Sequence, residues 1–572
     1  LSRERAVAPR WPLLNKLLNN PLRHRPPSAL LPLALGAALV AGPACKDEPV
    51  AKGESQAELG PAPSVTPAEP QLRRLTTVQY GNTVRALFGD DIVVPQGLEP
   101  DTAVDGLFSE GATAASLSAS GVADYEDAAF NLAEQVMASE TRRATLVTCS
   151  PVDVVDPDCV RDTLRALGRR AWRRPLSEEE LDSLSLVSTT AAAVLDDFYA
   201  GLEFGVAGLL QSPYFIYRVE LGEDDGAGGR VYTSVEMASR LSYFLWNTMP
   251  DDELLDAAEA GELSTDAGIA VQADRLLADP RVREGVATLF DEMLALHSLP
   301  NIDKDPTVFT RFTDSLGAAG REETRLGIEA LIFEEQGSYL DLFTTRRTFV
   351  NRELAALYNV AAPSRDGFGE VELPADGGRA GLLGQVGFLA LNAHPTSTSA
   401  TVRGKSMREQ LLCQTVLPPP ADLNASLPEV SEAGPTMRDR LSVHATDPAC
   451  ATCHNLMDPI GLGLENFDGL GSWRLTENDT VIDPSGELDG EPFADAIGLG
   501  QRLAESPRVP YCLTETMYRY AEGHPLAEGE EAMVNWLNEA FVMEEHRVEP
   551  LLRALVTSPG FRTAGALEAV GG

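Results

Sequence analysis

Apolar residues recur at helical spacing over most of the chain, and local start and stop signals divide them into many short helices. Thr76 or Thr77 caps a predicted helix that runs to about Phe88 and stops at Gly89. A second runs over about 122–139. Ser234 leads a third through Trp246, Pro250 opens the next through Ala258, and helices continue over 307–360. Residues 361–378, with Pro363, Pro374 and several glycines, read as a linker. Beyond it, residues 381–391 form a small-residue helix suited to close packing, 407–413 form another, and Pro418-Pro419-Pro420 makes a stiff extended link. The expected fold is mainly α, with an N-terminal helical region over 72–360 and a C-terminal one over 379–566.

Two stretches share a grammar. Cys159 leads a helix, Pro175-Leu176-Ser177-Glu178 starts another, and the segment closes at Ser212-Pro213-Tyr214-Phe215. Cys512 leads a helix, Pro525-Leu526-Ala527-Glu528 follows, and the segment closes at Ser558-Pro559-Gly560-Phe561. The pair reads either as an internal helical repeat left by duplication or as convergence on common helix signals.

The chemistry is concentrated in Cys450-Ala451-Thr452-Cys453-His454. Two thiols three positions apart reach the two vinyl groups of one haem, and the adjacent imidazole lies under the iron as proximal ligand. With seven Cys and seven His in 572 residues, chance produces such a run only ~0.001 times. The competing readings are a redox dithiol, a zinc-ligand pair or plain buried cysteines. Zinc needs a second ligand pair at similar spacing, and the chain has no such Cys pair. One covalent haem c, on Cys450, Cys453 and His454, is the expectation. The Pro459 carbonyl is the expected acceptor for the second ring nitrogen of His454. Arg474, or Arg403, is a candidate partner for a haem propionate.

The net charge of −40 argues against nucleic acid and anionic membrane surfaces as partners. Acidic residues along the helices read as solvated faces, and no pair suggests catalysis. No Gly-rich phosphate loop, Gly-x-Ser-x-Gly elbow or two-His metal helix occurs.

The N-terminus looks like an export signal over 1–45. Lys16, Arg23 and Arg25 precede an apolar run over 29–41, too short to span a membrane comfortably. Cys45 sits where a lipoprotein signal is cut and lipidated, although Gly42 and Pro43 make a poor box. Cleavage after Ala44 is the alternative. Residues 46–71, rich in Pro, Glu, Ala and Gly, read as a disordered tether. Four cysteines then remain, and in an oxidising compartment they are expected to pair as Cys149–Cys159 and Cys413–Cys512.

Several runs carry a family resemblance. They are Arg74-Leu75-Thr76 with Tyr80 and Asn82-Thr83; Arg170-Ala171-Trp172-Arg173-Arg174-Pro175-Leu176; Arg240-Leu241-Ser242-Tyr243-Phe244-Leu245-Trp246; and Thr398-Ser399 with Arg403-Gly404. The last joins His444, the pentapeptide, Asp458-Pro459-Ile460-Gly461, Glu465-Asn466-Phe467-Asp468, Gly471 and Trp473-Arg474. Together they resemble the planctomycete-type cytochrome-c-like multidomain family, built from five domains of unknown function. His524 departs from the Arg usual after Tyr-Ala-x-Gly. The resemblance implies an exported, mostly helical protein with one c-type haem, and it says little about the reaction. His444, six residues before Cys450 and present in the family's motif, is the first choice for a distal iron ligand. Met517 is the second, His524 and His394 trail, and an open sixth position is the alternative.

Two function classes follow. One is electron transfer, or the electron-accepting part of a periplasmic oxidation with a redox partner protein, carried by a periplasmic or outer-surface lipoprotein that meets the membrane only through its lipid. The other is a non-redox binding or scaffold lipoprotein in which haem or a metal is structural. The helices after Cys512 are expected to pack back on the haem segment.

Overall fold

The computed structural model describes residues 59–114, 116–226, 228–418, 427–446 and 448–566. The stretch read as an export signal, Cys45 and residues 46–58 lie outside them. Helices dominate, and the strands are two to four residues long. Among the described residues no helix is long and apolar enough to cross a membrane. Thr76 caps the helix Thr77–Phe88 through a capping box with Gln79. The equivalent cap later in the chain is Thr233 rather than Ser234, again in a box, with Glu236 before the helix Ser234–Leu245.

Those two capped helices begin two copies of one arrangement. In the first, strand Arg73–Arg74 leads into the capped helix. After intervening helices come Pro157–Ala171, Glu178–Leu195, Phe198–Leu210 and the short Pro213–Ile216. Strand Tyr217–Arg218 then returns to pair with Arg73–Arg74. In the second, strand Arg230–Val231 leads into Ser234–Leu245, and much later come Arg508–Glu522, Glu531–Met543, Val548–Val556 and Pro559–Arg562. Strand Thr563–Ala564 returns to pair with Arg230–Val231. The repeat seen in the sequence therefore includes the opening strand and helix as well as the closing hairpin of helices.

Each copy carries one disulfide in the same place, Cys149–Cys159 and Cys413–Cys512. In each, the cysteine outside the helix lies close to a threonine one turn beyond the helical cysteine: Cys149 Sγ is 3.8 Å from Thr163 Oγ1, and Cys413 Sγ is 3.7 Å from Thr516 Oγ1. The copies differ in what the disulfide encloses. The cysteines are 10 residues apart in the first and 99 in the second. The pentapeptide 450–454 is thus part of an insertion into the disulfide loop of the second copy.

The first copy has its own core around Leu132, Leu164, Val206 and Phe215. A larger core gathers Phe244, Phe290, Leu389, Met517, Phe541 and Phe561. It joins residues from both sides of 361–378, because that segment is not a linker between separate bodies. Its Gly369–Glu372 pairs with Arg347–Val350 as a surface hairpin, and the prolines and glycines serve its turns. Residues 59–71 are likewise fixed rather than free: Trp536 Nε1 donates to the Gly60 carbonyl at 2.8 Å and Gly565 N to that of Ala68 at 2.7 Å.

Where the copies meet, Glu220 lies fully buried among arginines. Arg218 is 2.6 Å from it, Arg240 3.3 Å and Arg73 3.9 Å. Arg240 also reaches Glu522 at 2.8 Å and the Phe561 carbonyl at 2.9 Å. One ionic cluster therefore ties the strand pair of the first copy to two helices of the second.

Candidate functional site

The pentapeptide lies on the helix Pro448–Leu462. Cys450 and Cys453 are three positions apart, so both thiols face the same side of the helix. Both are free and partly exposed. The helix is held by two others, Ala400–Ser406 and Met437–Thr446, and by the strand Gly486–Leu488. The helix Arg508–Glu522 packs instead on the π-turn Met407–Leu411, so the helices after Cys512 stand one layer behind the pentapeptide rather than on it.

Glycines let the two central helices approach closely. A Cβ on Gly404 would lie 2.0 Å from the Met457 carbonyl oxygen, and one on Gly461 would lie 1.8 Å from that of Ala400. Both contacts are with backbone, which cannot rotate away. Gly404→Ala is expected to lower the unfolding free energy by about 1–3 kcal/mol. The control Gly327→Ala, whose added methyl meets only the end of Gln385 at 3.7 Å, should be neutral or slightly stabilising in the same urea titration.

His454 donates through Nδ1 to Asp458 Oδ2 at 2.8 Å, one helical turn on. The other carboxylate oxygen of Asp458 accepts from Thr401 Oγ1 at 2.8 Å. Asp458 is buried, so this Thr–Asp–His chain fixes the ring and places its proton on Nδ1, leaving Nε2 as the bare donor atom. The acceptor is Asp458, not the expected Pro459 carbonyl, which turns toward Gly486. The His-x-x-x-Asp spacing is visible in the sequence, and helical periodicity alone would have pointed to it.

His444, on Met437–Thr446, is buried, and its ring packs edge-on against His454 with centroids 4.6 Å apart. Its Nδ1 is buried without a hydrogen-bond partner. The structure thus brings His444 to His454. Met517 is fully buried in the main core on Arg508–Glu522. His524 bonds the Pro525 carbonyl through Nδ1 at 2.8 Å and lies 3.7 Å from Glu530. The carbonyl of His394 accepts from Lys304 at 3.1 Å.

Arg403 and Arg474 are committed elsewhere, which corrects their expected role at a propionate. Arg403 is fully buried and donates to the carbonyls of Leu464, Phe467, Leu389 and Asp468, between 2.7 and 3.3 Å. Arg474 donates to the carbonyl and carboxylate of Glu465 at 2.9 and 2.8 Å. Thr398 donates to the same carboxylate at 2.8 Å. These motif residues form a clamp that folds the loop after the pentapeptide helix back onto Ala400–Ser406. Both disulfides expected from the sequence are present.

The chain belongs to the planctomycete-type cytochrome-c-like multidomain family. Five family models match it in order, each described as a protein of unknown function: DUF1587 over 73–138, DUF1595 over 159–220, DUF1592 over 232–360, DUF1588 (PSCyt3) over 379–477 and DUF1585 over 489–561. DUF1587 and DUF1592 begin at the opening strand or capped helix of each copy, and DUF1595 and DUF1585 contain the closing helices. No curated protein and no solved structure matches the chain.

Proposed function

We propose that the protein is an exported c-type haem protein that passes electrons to or from a partner protein, or accepts them in a periplasmic oxidation. The observation that carries this reading is the state of the cysteines. Cys149, Cys159, Cys413 and Cys512 are in disulfides, as suits an oxidising compartment. Cys450 and Cys453 are free, partly exposed and on one side of a helix, next to an imidazole whose Nε2 is presented by the Thr401–Asp458 chain. That donor set fits haem attachment. The orphan Nδ1 of His444 and the exposed Leu456 and Val443 on the two adjoining helices fit a flat, largely apolar group beside them.

Bound haem would supply reversible one-electron chemistry. The chain's residues hold and tune it. Cys450 and Cys453 would anchor it through thioethers, and His454 would hold the iron through Nε2. Asp458 makes the imidazole a stronger donor through the Nδ1 bond. His444, packed against His454, would be the first candidate for a second ligand, and Met517, the second choice from the sequence, would have to leave the main core to reach it. Export and an anchor at Cys45 complete the proposal, with a redox protein as the partner.

An optical redox titration of the haem-loaded protein tests the reading. A reversible one-electron transition is expected, and Asp458→Asn should raise its midpoint by on the order of 50 mV while haem stays attached. A spectrum that does not cycle reversibly would count against electron transfer and favour the scaffold reading. A band shift on adding carbon monoxide would mark an open or displaceable sixth position.

A further inference from the structure

A small cavity lies at the junction of the two copies. Its wall takes Arg73, Arg74, Ser109 and Arg218 from the first copy, and Tyr243 and Tyr520 from the second. The space admits one particle of about the size of a water molecule. Arg74 and Tyr243 lie in runs that carry the family resemblance, and the haem site uses neither.

The wall is rich in donors. Tyr520 is only 4 % exposed, and its hydroxyl has no hydrogen-bond partner among the described residues. The same holds for the Ser109 hydroxyl and for Nε of Arg74, a residue 2 % exposed. Among the described residues the wall holds no carboxylate. Its other acceptors are in use. The side-chain oxygen of Gln79 accepts from the Thr76 N–H at 3.3 Å, and the Ala521 carbonyl accepts from Arg73 Nη1 at 2.8 Å. The Tyr243 hydroxyl is shared between Thr83, at 2.9 Å, and Arg173, at 3.3 Å.

The charges around the cavity do not balance. Arg74 pairs with Asp101 at 3.1 Å. Arg73, Arg218 and Arg240 share Glu220, and Arg240 also has Glu522. Arg173, 3 % exposed, donates only to carbonyls and to Tyr243. Five buried guanidinium groups (Arg73, Arg74, Arg173, Arg218, Arg240) thus stand against three carboxylates (Asp101, Glu220, Glu522). Glu292 accepts from the Ser109 N–H at 3.2 Å, but burial pushes its acid up to about 8, so it adds little charge at neutral pH. Burial, and then the charge of Arg218, lowers Arg73 to about 10. Guanidinium groups are donors only, and buried positive charge in excess is costly unless an anion meets it. A cation is excluded by the same charge, and a polyatomic anion by the size of the space.

We propose that this cavity holds one chloride ion, hydrogen-bonded by the Tyr520 and Ser109 hydroxyls and by Arg74 Nε, and that the ion ties the two copies together. The proposal does not depend on the haem. Thermal unfolding of the full protein at constant ionic strength, with chloride replacing gluconate, tests it. The midpoint is expected to rise with chloride concentration. Tyr520→Phe should need at least tenfold more chloride for the same rise. The phenyl ring keeps the packing, and removing a hydroxyl that bonds nothing would otherwise be neutral or stabilising. Tyr80→Phe is the control. Its hydroxyl is also buried without a partner, but it lies outside the wall, so this variant should follow the parent curve. Crystals of the parent protein grown in bromide should show one anomalous peak between Arg74, Ser109 and Tyr520. A midpoint indifferent to chloride, an equal response in Tyr520→Phe, an equal loss in Tyr80→Phe, or water alone in the bromide crystal would overturn the proposal.

Discussion

Arg240→Ala is expected to lower the unfolding free energy by about 3–5 kcal/mol, a large part of the ~5–15 kcal/mol typical of a domain. The side chain is fully buried, and its loss leaves the buried Glu522 without its 2.8 Å partner and Glu220 with only Arg218 and Arg73. It also removes the bond to Phe561 and the stacking over the Tyr232 and Phe561 rings, at 4.2 and 4.6 Å. The effect is mostly the stranded charge, so Arg240→Ala/Glu522→Ala should cost less than the two single changes summed. Urea unfolding of the four proteins measures this coupling. The cluster also predicts a pH dependence. Burial opposes the charge of Glu220, but Arg218, Arg240 and Arg73 outweigh it and hold its pKa below the ordinary range. A group with a lowered folded pKa stabilises above its unfolded value, ~4.3 for Glu. That contribution is lost as pH falls through the folded value.

The second large effect is expected at Cys413–Cys512. In the loop-entropy account, closing a loop of ~100 residues is worth about 4–5 kcal/mol, and a short one about 3. With separations of 99 and 10, Cys413→Ser/Cys512→Ser should cost about 2 kcal/mol more than Cys149→Ser/Cys159→Ser. Equal costs in parallel denaturation curves would mean that the insertion is already tethered in the unfolded chain or rigid without the bond.

Much of this architecture was legible in the sequence, and the rest was hidden for identifiable reasons. The helices declared themselves by period and caps, as at Thr76 with Gln79. The disulfides followed once the paired-motif cysteines were set aside. The repeat was partly visible at Ser-Pro-x-Phe, but its closing strands are two residues long and carry no alternation to read. Arg403 read as a candidate for an external anion because its partner Glu465 is 62 residues away, and Arg474 because its return to Glu465, across a turn nine residues long, follows no helical or strand period. The 361–378 segment falls between two family models, one ending at 360 and the next beginning at 379, and it is a surface hairpin rather than a free linker because turn residues mark both.

The central claim is covalent haem on Cys450, Cys453 and His454. It is tested most directly by a pyridine haemochrome spectrum of protein exported from a host that matures c-type cytochromes, beside a Cys450→Ser/Cys453→Ser variant. The account predicts a c-type band that survives acid-acetone extraction in the parent protein and is absent from the variant. A well-folded parent protein with both disulfides formed and no such band would contradict it.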